Sequence, residues 1–443
     1  MHFYGTATRN ARGHLAVGGV DVADLAREFG TPLYIMDEAL IRRNCRAYVE
    51  SFREHYPDFD VAYASKAFLC TAMVALAEQE GLALDVVSGG EIATALQAGF
   101  PMERTYFHGN NKSGEEIRLA LEAGVGRLVV DSTHELHLLE AVAAGAGRRV
   151  RILLRVTPGV EAHTHEYIST GQLDSKFGIP IAGGLALAAA REALALPHVE
   201  LMGFHCHIGS QIFDLHGYRV AAQRMLDLMA AFRSETGSVA RELSLGGGLG
   251  VRYVEGDRPT SPAELVACIS AAVRAGAAER GLPLPRLIVE PGRSIVAEAG
   301  TTLYTVGSIK EIPGVRTYLA VDGGMGDNIR PALYQAEYEC AVANKLDSPR
   351  TRVVTVVGRY CESGDVLLRD VAVAGDVAPG DLLAVFATGA YNFSMASHYN
   401  RFPPPPVVFV RDGRADLVVR RQSFAEMAAL DLLPERLRSR TAR

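Results

Sequence analysis

Residues 61–87 read VAYASKAFLCTAMVALAEQEGLALDVV and contain one complete strand–helix–strand unit. Val61–Ala64 is a short apolar run typical of buried strands, and Thr71–Glu80 has a helical pattern that ends before Gly81. A glycine directly after a helix favours the left-handed conformation that terminates it. Ala83–Val87 is a second β-rich run. The stretch therefore predicts two strands joined by a helix.

The same alternation recurs up to about residue 300. Six more β-rich runs follow, at Thr105–His108, Arg127–Val130, Ile152–Val156, Leu201–His205, Glu242–Leu245 and Arg286–Glu290. A second well-marked helix, Tyr218–Thr236, ends before Gly237. Eight strands alternating with helices predict a parallel (β/α)8 barrel of the TIM type, whose ligand-binding groups lie just beyond the strand C-termini. An open doubly wound sheet is the alternative that the same alternation allows.

After about Gly300 the pattern changes to strand-like runs separated by glycine, proline and aspartate. These runs are Thr302–Val306, Thr317–Val321, Arg352–Val357, Val366–Val373, Leu382–Phe386, Val407–Val410 and Asp416–Arg420. They predict a separate C-terminal β domain of the sandwich or barrel type. The first thirty residues, with Leu15–Val17 and no helical run, are expected to add a strand to it. The predicted domains are therefore a β domain from 1–35 and 300–443 and a barrel from 36–299.

Composition excludes several functional classes. Of the 443 residues, 45 are Lys or Arg and 51 are Asp or Glu, and the net charge of −6 argues against a nucleic-acid or anionic-membrane partner. The start has no pattern of an export signal, and the apolar stretches are too short to cross a bilayer. The six cysteines lie far apart without a Cys-x-x-Cys pair, as expected for reduced thiols in the cytoplasm.

Lys66 directly follows the first predicted barrel strand. A lysine there would project into the barrel mouth, where loss of water lowers the pKa of the ammonium and frees the amine for Schiff-base chemistry. Considered without its position at a strand end, Lys66 would instead be interpreted as a solvated surface lysine.

Two glycine-containing loops follow the last two strands. Gly246–Gly248 follows the seventh strand, where barrels commonly bind phosphate, although tight turns also use glycine. Glu290-Pro291-Gly292-Arg293 follows the eighth and adds a fixed positive charge. Because Glu290 ends an apolar strand, its carboxylate needs a cationic or proton-donating partner. A protonated pyridine nitrogen would be a suitable partner for Glu290, and a salt bridge to a structural arginine is the alternative.

His205-Cys206-His207 has an H-x-H spacing that can bind a divalent metal in barrels. Further ligands for such a site are not evident in the sequence, so no metal is expected. A metal-dependent barrel hydrolase that uses His205 and His207 stays open as an alternative.

Taken together, the motifs resemble the fold type III pyridoxal-phosphate decarboxylases over nearly the whole chain. The β domain contributes three clusters, in segments 322–334, 361–365 and 388–391. The matching motifs are YASKA at 63–67, DVVSGGE at 85–91, HGNNK at 108–112, HCHIGSQ at 205–211, the triple glycine, EPGR at 290–293, CESGD at 361–365 and GAY at 389–391. Eight matches in the same order make a chance resemblance improbable.

The resemblance implies pyridoxal 5′-phosphate as the cofactor. Lys66 would hold it as a Schiff base, His207 would stack on the pyridine face, and Glu290 would keep the ring nitrogen protonated so that the cofactor can act as an electron sink. The remaining residues implied in cofactor binding, mainly at the phosphate, are Ser210, Gly246, Gly247, Gly248, Pro291, Gly292, Arg293 and Tyr391.

The resemblance also implies a substrate site. The distal carboxylate of an amino-acid substrate would be bound by Arg293, Arg330 and Tyr334, with Tyr391 also lining the site. Glu362 would bind the distal ammonium. Cys361 would come from the second subunit and return a proton to the carbanionic carbon, so that a homodimer builds its active sites at the subunit interface.

The expected reaction is the decarboxylation of meso-2,6-diaminopimelate to L-lysine and carbon dioxide. An arginine such as Arg330 would repel a substrate whose side chain ends in a cation, which argues against the relatives that decarboxylate ornithine, lysine or arginine. The alternatives are a decarboxylase of a related amino acid, a catalytically silent cofactor-binding homologue, and, less favoured, a pyridoxal-phosphate racemase. The segment 398–402, which leads into four prolines, departs from the family pattern and leaves local detail of the pocket open.

Overall fold

The computed structural model describes residues 2–160 and 175–438, and its strands and helices alternate through most of the chain. The strands are β1 (Thr8–Arg9), β2 (Leu15–Val17), β3 (Val20–Asp21), β4 (Leu33–Asp37), β5 (Phe59–Ala64), β6 (Ala83–Val86), β7 (Thr105–Phe107), β8 (Arg127–Val130), β9 (Val150–Thr157), β10 (Ile179–Pro180), β11 (Val199–His205), β12 (Glu242–Ser244), β13 (Arg286–Val289), β14 (Gly300–Ile312), β15 (Arg316–Val321), β16 (Cys340–Val342), β17 (Arg352–Val357), β18 (Val366–Val373), β19 (Leu382–Phe386), β20 (Val407–Arg411) and β21 (Arg414–Val419). The helices are α1 (Val22–Phe29), α2 (Glu38–His55), α3 (Thr71–Gln79), α4 (Gly89–Gln97), α5 (Gly114–Ala123), α6 (Thr133–Gly145), α7 (Leu185–Ala195), α8 (His216–Thr236), α9 (Pro262–Glu279), α10 (Arg293–Val296), α11 (Arg330–Tyr334) and α12 (Phe424–Ala428).

Eight parallel strands form a closed barrel. The order is β5, β6, β7, β8, β9, β11, β12 and β13, and β13 pairs with β5 to close it. All eight predicted runs are barrel strands, so the predicted barrel is confirmed over the open sheet. Its interior is filled by buried side chains, namely Ala62, Ala83, Tyr106, Val129, Leu153, Met202 and Ile288. The packed interior leaves ligand binding to the strand ends.

The two best-marked helices end as predicted. The glycine after α8, Gly237, has a φ of 71° and donates its N–H to Arg233 at 2.9 Å. Gly81, shortly after α3, has a φ of 79°. Both glycines adopt the left-handed conformation that side-chain-bearing residues avoid.

The second unit is built on a separate sheet. Its strands lie in the order β18, β17, β15, β14, β4, β20 and β21, while β19 pairs with β14 and β16. All seven predicted β-domain runs form strands. The sequence analysis missed β16, which has three residues, and β4, which is buried throughout and lies between β14 and β20.

The N-terminal segment differs in part from expectation. Leu15–Val17 is a strand as predicted, but it pairs with β3 in a small three-stranded sheet, and Leu15 donates its N–H to Ala343 at 2.7 Å. The expectation of no helical run was wrong, because α1 follows at once. Asp21 caps α1 by accepting the Ala23 N–H at 2.8 Å, and Val22, Leu25 and Phe29 recur at a helical spacing that the sequence analysis overlooked.

Two compact units emerge. One comprises the described residues of Met1–Thr8, Met36–Thr301 and Phe386–Ser394, and the other those of Arg9–Ile35, Thr302–Val385 and Met395–Arg443. This division differs from the predicted one because the first segment, 1–8, and the last, 386–394, belong to the barrel unit and not to the β domain. The first segment is held by Thr6, whose hydroxyl donates to Asp37 at 2.8 Å. The last is held by Tyr391, whose N–H donates to Ala67 at 2.8 Å.

No helix among the described residues is both long and apolar enough to cross a membrane.

Replacing Leu153 in the barrel interior with alanine should lower the free energy of unfolding by about 2–5 kcal/mol, because a cavity replaces fully buried methyl groups. Urea unfolding followed by circular dichroism measures this change. Leu185→Ala, at a position that is 54% exposed on α7, is the matched control and should change stability by less than about 1 kcal/mol. Equal losses in both variants would contradict the barrel packing.

Candidate active site

Five ionisable side chains lie at the carboxyl ends of barrel strands. Lys66 follows β5, Asp85 lies near the end of β6, His108 follows β7, His205 ends β11 and Glu290 follows β13. Because parallel strands end at the same face of a barrel, their side chains converge there. Four of the five are buried.

Glu290 is a buried carboxylate with several partners. Its Oε2 lies 3.0 Å from His205 Nε2, and its Oε1 accepts the Ser244 hydroxyl at 2.7 Å and lies 3.5 Å from His108 Nε2. Burial by itself raises the pKa of Glu290, but the two histidines and the hydrogen bonds from His205 and Ser244 outweigh burial and hold it well below the usual range. Glu290 is therefore a fixed negative charge at neutral pH.

Lys66 points its ammonium toward Asp85, with 3.9 Å between Nζ and Oδ2, and its side chain is 46% exposed. Loss of water lowers the pKa of Lys66, but the negative charges of Asp85 and Glu290 outweigh it, so that this pKa lies above its ordinary value. The expectation that desolvation frees the amine was wrong for the protein alone, because these anions favour the ammonium.

Asp85 is fully buried, and neither carboxylate oxygen accepts a hydrogen bond from a described residue. Burial raises the pKa of Asp85, the nearby charge of Glu290 raises it further, and Lys66 opposes both. A buried carboxyl without donors is costly unless a cation or a ligand compensates for it. Lys66 supplies that compensation.

His207 is oriented by the glycine loop. Its Nδ1 accepts the N–H of Gly247 at 3.2 Å, which assigns the ring proton of the neutral imidazole to Nε2. Burial lowers the pKa of His207 well below its usual range, so the ring is neutral. A neutral, oriented ring fits the predicted role of stacking against a flat heterocycle.

The triple glycine serves packing more than anion binding. Gly246 donates its N–H to Ser244 at 3.2 Å and Gly247 donates to His207, so two of the three amides expected to face phosphate are engaged within the chain. A Cβ on Gly247 would lie 2.1 Å from the Glu290 carbonyl oxygen. Glycine is required there because the loop passes directly over the end of β13.

Arg293, at the start of α10, is buried beside the predicted phosphate residues. Its Nη2 donates to the Ser210 hydroxyl at 3.0 Å and its Nη1 to the Tyr253 hydroxyl at 2.5 Å. Its guanidinium carbon lies 4.9 Å from the centre of the Tyr391 ring. Among the described residues no carboxylate lies within ion-pair distance of Arg293, so this buried charge suits an anionic ligand.

Tyr253 was missed by the sequence analysis. It lies in the loop after β12, three residues beyond Gly250, and a single tyrosine in a loop gives no sequence signal. Only its contact with Arg293 identifies it.

The predicted substrate residues of the second unit fall into two groups. Arg330 is buried in α11 and donates to the Tyr338 hydroxyl at 2.6 Å, and Tyr334 ends the same helix half-buried. Cys361 and Glu362 are neighbours in an exposed turn. The turn is held by the Asn400 side chain, which accepts the Cys361 N–H at 2.8 Å.

The histidine pair raised as metal ligands does not form a metal-binding set. The donor atoms that come within 4.8 Å of one another belong to His108, His205 and Glu290. His205 already directs its Nε2 to Glu290, while His207 directs Nδ1 to the glycine loop.

Comparison with known proteins identifies the family. The family model for the pyridoxal binding domain of pyridoxal-dependent decarboxylases matches residues 39–297. The chain belongs to the pyridoxal-dependent decarboxylases. Pyridoxal 5′-phosphate is their cofactor, and the ionised Glu290 and Lys66 at the barrel mouth provide groups suited to its ring nitrogen and aldehyde.

Within this family, the chain is similar to diaminopimelate decarboxylases over nearly its whole length. It is 52% identical to that of Bacillus subtilis over 98% of both chains, and 44% identical to that of Mycobacterium tuberculosis over 96% of both. The M. jannaschii diaminopimelate decarboxylase in complex with L-lysine has a TM-score of 0.91 and 36% identity, covering 98% of this chain and 99% of that one. The Helicobacter pylori enzyme, also with L-lysine, has a TM-score of 0.85 and 32% identity, covering 93% and 99%.

Replacing Asp85 with asparagine should lower the pKa of Lys66, because it removes the nearest negative charge. More of the amine is then unprotonated at a given pH, so covalent attachment of pyridoxal phosphate should reach half its maximal rate at a lower pH. Borohydride trapping followed by mass spectrometry measures this rate. Asp60→Asn, at the opposite end of β5, is the control, and an unchanged or upward-shifted profile for Asp85→Asn would contradict the assignment.

Proposed function

We propose that this pyridoxal-dependent decarboxylase converts meso-2,6-diaminopimelate to L-lysine and carbon dioxide, the last step of lysine synthesis by the diaminopimelate route. The observation that carries the proposal is the buried guanidinium of Arg293, which has no carboxylate partner among the described residues. Similarity to diaminopimelate decarboxylases over 96–98% of the chain supports it.

The barrel residues would bind and orient the cofactor. Lys66 would hold it covalently, His207 would stack against its ring, and the fixed charge of Glu290 would keep its ring nitrogen protonated. When bound, pyridoxal phosphate supplies the electron sink for the pair left when carbon dioxide departs. The proposed phosphate-binding set is Ser210, Gly248, Tyr391 and the loop formed by Pro291, Gly292 and the Arg293 backbone. Gly246 and Gly247, whose N–H groups bond within the chain, would line this site.

Selectivity would come from charge at the far end of the substrate. Arg293, Arg330 and Tyr334 would bind the distal carboxylate, Tyr391 is a further proposed substrate-binding residue, and Glu362 would bind the distal ammonium. A buried guanidinium repels a substrate whose side chain ends only in a cation, since neither charge is solvated well there. This argument favours a dicarboxylic diamino acid over ornithine, lysine or arginine.

We further propose a homodimer, in which Cys361 of the partner subunit returns a proton to the substrate carbon. Cys361 and Glu362 are exposed on the described surface of their own unit, where they are accessible to a second copy. All six cysteines are free thiols, which supports a reducing location such as the cytoplasm. A silent homologue is disfavoured because Lys66, Glu290 and Cys361 are all present.

The test is to load the full-length protein with pyridoxal phosphate, add meso-diaminopimelate, and measure lysine and released carbon dioxide together. We expect the two products in a 1:1 ratio. Lys66→Ala is the control and should abolish borohydride-trapped cofactor as well as turnover. Trapped cofactor without lysine would reject diaminopimelate as substrate and direct the search to other D- and L-amino acids.

Cys361→Ala should retain the bound cofactor but reduce kcat by about 10²-fold or more, because a positioned proton donor is lost. Stopped assays at saturating substrate measure kcat, and borohydride trapping measures cofactor content. Cys268→Ala, at a half-buried thiol on α9, is the matched control. An unchanged kcat in Cys361→Ala would remove the proton-donor role.

Arg330→Ala should raise KM for meso-diaminopimelate by about tenfold or more, since a charge-assisted hydrogen bond contributes about 1.5–3 kcal/mol. The KM for a monocarboxylic diamino acid should change much less. Steady-state kinetics with both substrates measures the difference, and Arg330→Lys shows how much of it depends on charge alone. Equal increases in the two KM values would contradict binding of the distal carboxylate.

A further inference from the structure

Two buried aspartates of the second unit have no role in the scheme above. Asp327 precedes α11, the helix that begins with Arg330, and Asp365 closes the turn that contains Cys361 and Glu362. We call this pair the carboxylate clasp, because each side chain bonds to the segment that carries the other.

Asp365 makes the stronger connection. Its Oδ1 accepts the N–H of Met325 at 2.6 Å, in the segment before Arg330, and its Oδ2 accepts the N–H of Tyr360 at 2.9 Å. Both oxygens of one carboxylate are thus used to join two separate stretches of backbone. Arg359 adds a parallel link by donating its N–H to the Gly323 carbonyl at 3.0 Å.

Asp327 bonds in the opposite direction. Its Oδ1 accepts the N–H of Gly324 at 2.8 Å and lies 3.5 Å from the hydroxyl of Tyr360, the residue directly before Cys361. Its Oδ2 accepts the Tyr304 hydroxyl at 2.6 Å, which anchors the arrangement to β14. The segment before Arg330 is therefore fixed to both the sheet and the Cys361 turn.

The backbone leaves room for these side chains only where glycine stands. A Cβ on Gly324 would lie 2.5 Å from Asp365 Oδ1, and a Cβ on Gly358 would lie 2.2 Å from Oδ2. A Cβ on Gly326 would lie 2.1 Å from the Tyr360 hydroxyl oxygen. Glycine at these three positions therefore leaves free the space that Asp365 and Tyr360 occupy when they form their hydrogen bonds.

We propose that the carboxylate clasp is a positioning device that holds Arg330 and the Cys361–Glu362 turn as one rigid element, with Asp365 as its principal residue. The proposal rests on the proposed function, which gives Arg330 and Cys361 their roles. The turn is exposed, and apart from the clasp it is held by the bond from Cys361 to Asn400, by short backbone bonds within the turn and by the stacking of Tyr360 on Tyr399. The clasp adds the bonds that join the turn to the segment before Arg330. A displacement of about 1 Å in a reacting group can cost about 10²-fold in rate.

If Asp365 acts by positioning Cys361, replacing Asp365 should have little further effect on kcat once the Cys361 thiol has been removed. We compare kcat and KM for wild type, Asp365→Asn, Cys361→Ala and the double variant, all full-length and loaded with pyridoxal phosphate. Asparagine keeps one acceptor but turns an NH2 group toward a backbone N–H, so it breaks one bond of the clasp. We expect Asp365→Asn to lower kcat about tenfold and to raise KM several-fold. In the Cys361→Ala background the same substitution should lower kcat less than twofold.

The matched control is Asp381→Asn. Asp381 is a buried aspartate of the same unit that accepts the Ala378 N–H at 2.8 Å and pairs with Lys345 at 2.8 Å, outside the clasp. It should lose stability with kcat and KM near wild type. The proposal would be overturned if Asp365→Asn had the kcat and KM of wild type. It would also be overturned if the double variant had a kcat ten times lower than that of Cys361→Ala alone. Wild-type protein that releases no lysine would instead reject the proposed function.

Two measurements do not depend on activity. Iodoacetamide should modify Cys361 at a rate that changes several-fold in Asp365→Asn but not in Asp381→Asn, as read by peptide mass spectrometry. Hydrogen exchange of wild-type protein needs no variant to fold, and the amides of Met325 and Tyr360 should be protected well beyond that of Ser363. Exchange of all three at the rate of open loops would show that the clasp does not hold in solution and would overturn the proposal.

Discussion

The buried charge of Glu290 is the constraint on which the barrel mouth depends. An ionised carboxylate away from water is stable only when donors surround it, and here His205 and Ser244 supply hydrogen bonds while His108 lies close by. These donors come from different strands, β11, β12 and the end of β7, so the closed barrel is what assembles them. A fixed negative charge at this depth is what a protonated ring nitrogen requires.

The groups around Glu290 differ in their protonation states. His207 is neutral and turned by Gly247, whereas Lys66 is held as an ammonium by Asp85 and its neighbours. The lysine must therefore lose a proton before its amine can react.

The second unit holds an exposed turn in place. Cys361 and Glu362 lie on this turn, so burial does not fix their side chains. Asp365 and Asp327 instead fix the backbone on both sides of them, using carboxylates placed in slots that glycine leaves open.

The sequence by itself determined the barrel, the β domain and the family, because periodicity and short motifs depend on neighbouring residues. It missed α1, Tyr253 and the clasp, and it misjudged the protonation of Lys66 and the use of the Gly246 and Gly247 amides. Apart from α1 and the Gly246 amide, whose contacts are local, these features depend on residues far apart in the chain, such as Asp85 beside Lys66 or Met325 beside Asp365. Only the folded structure fixes such distances, and electrostatic and hydrogen-bond energies depend on them.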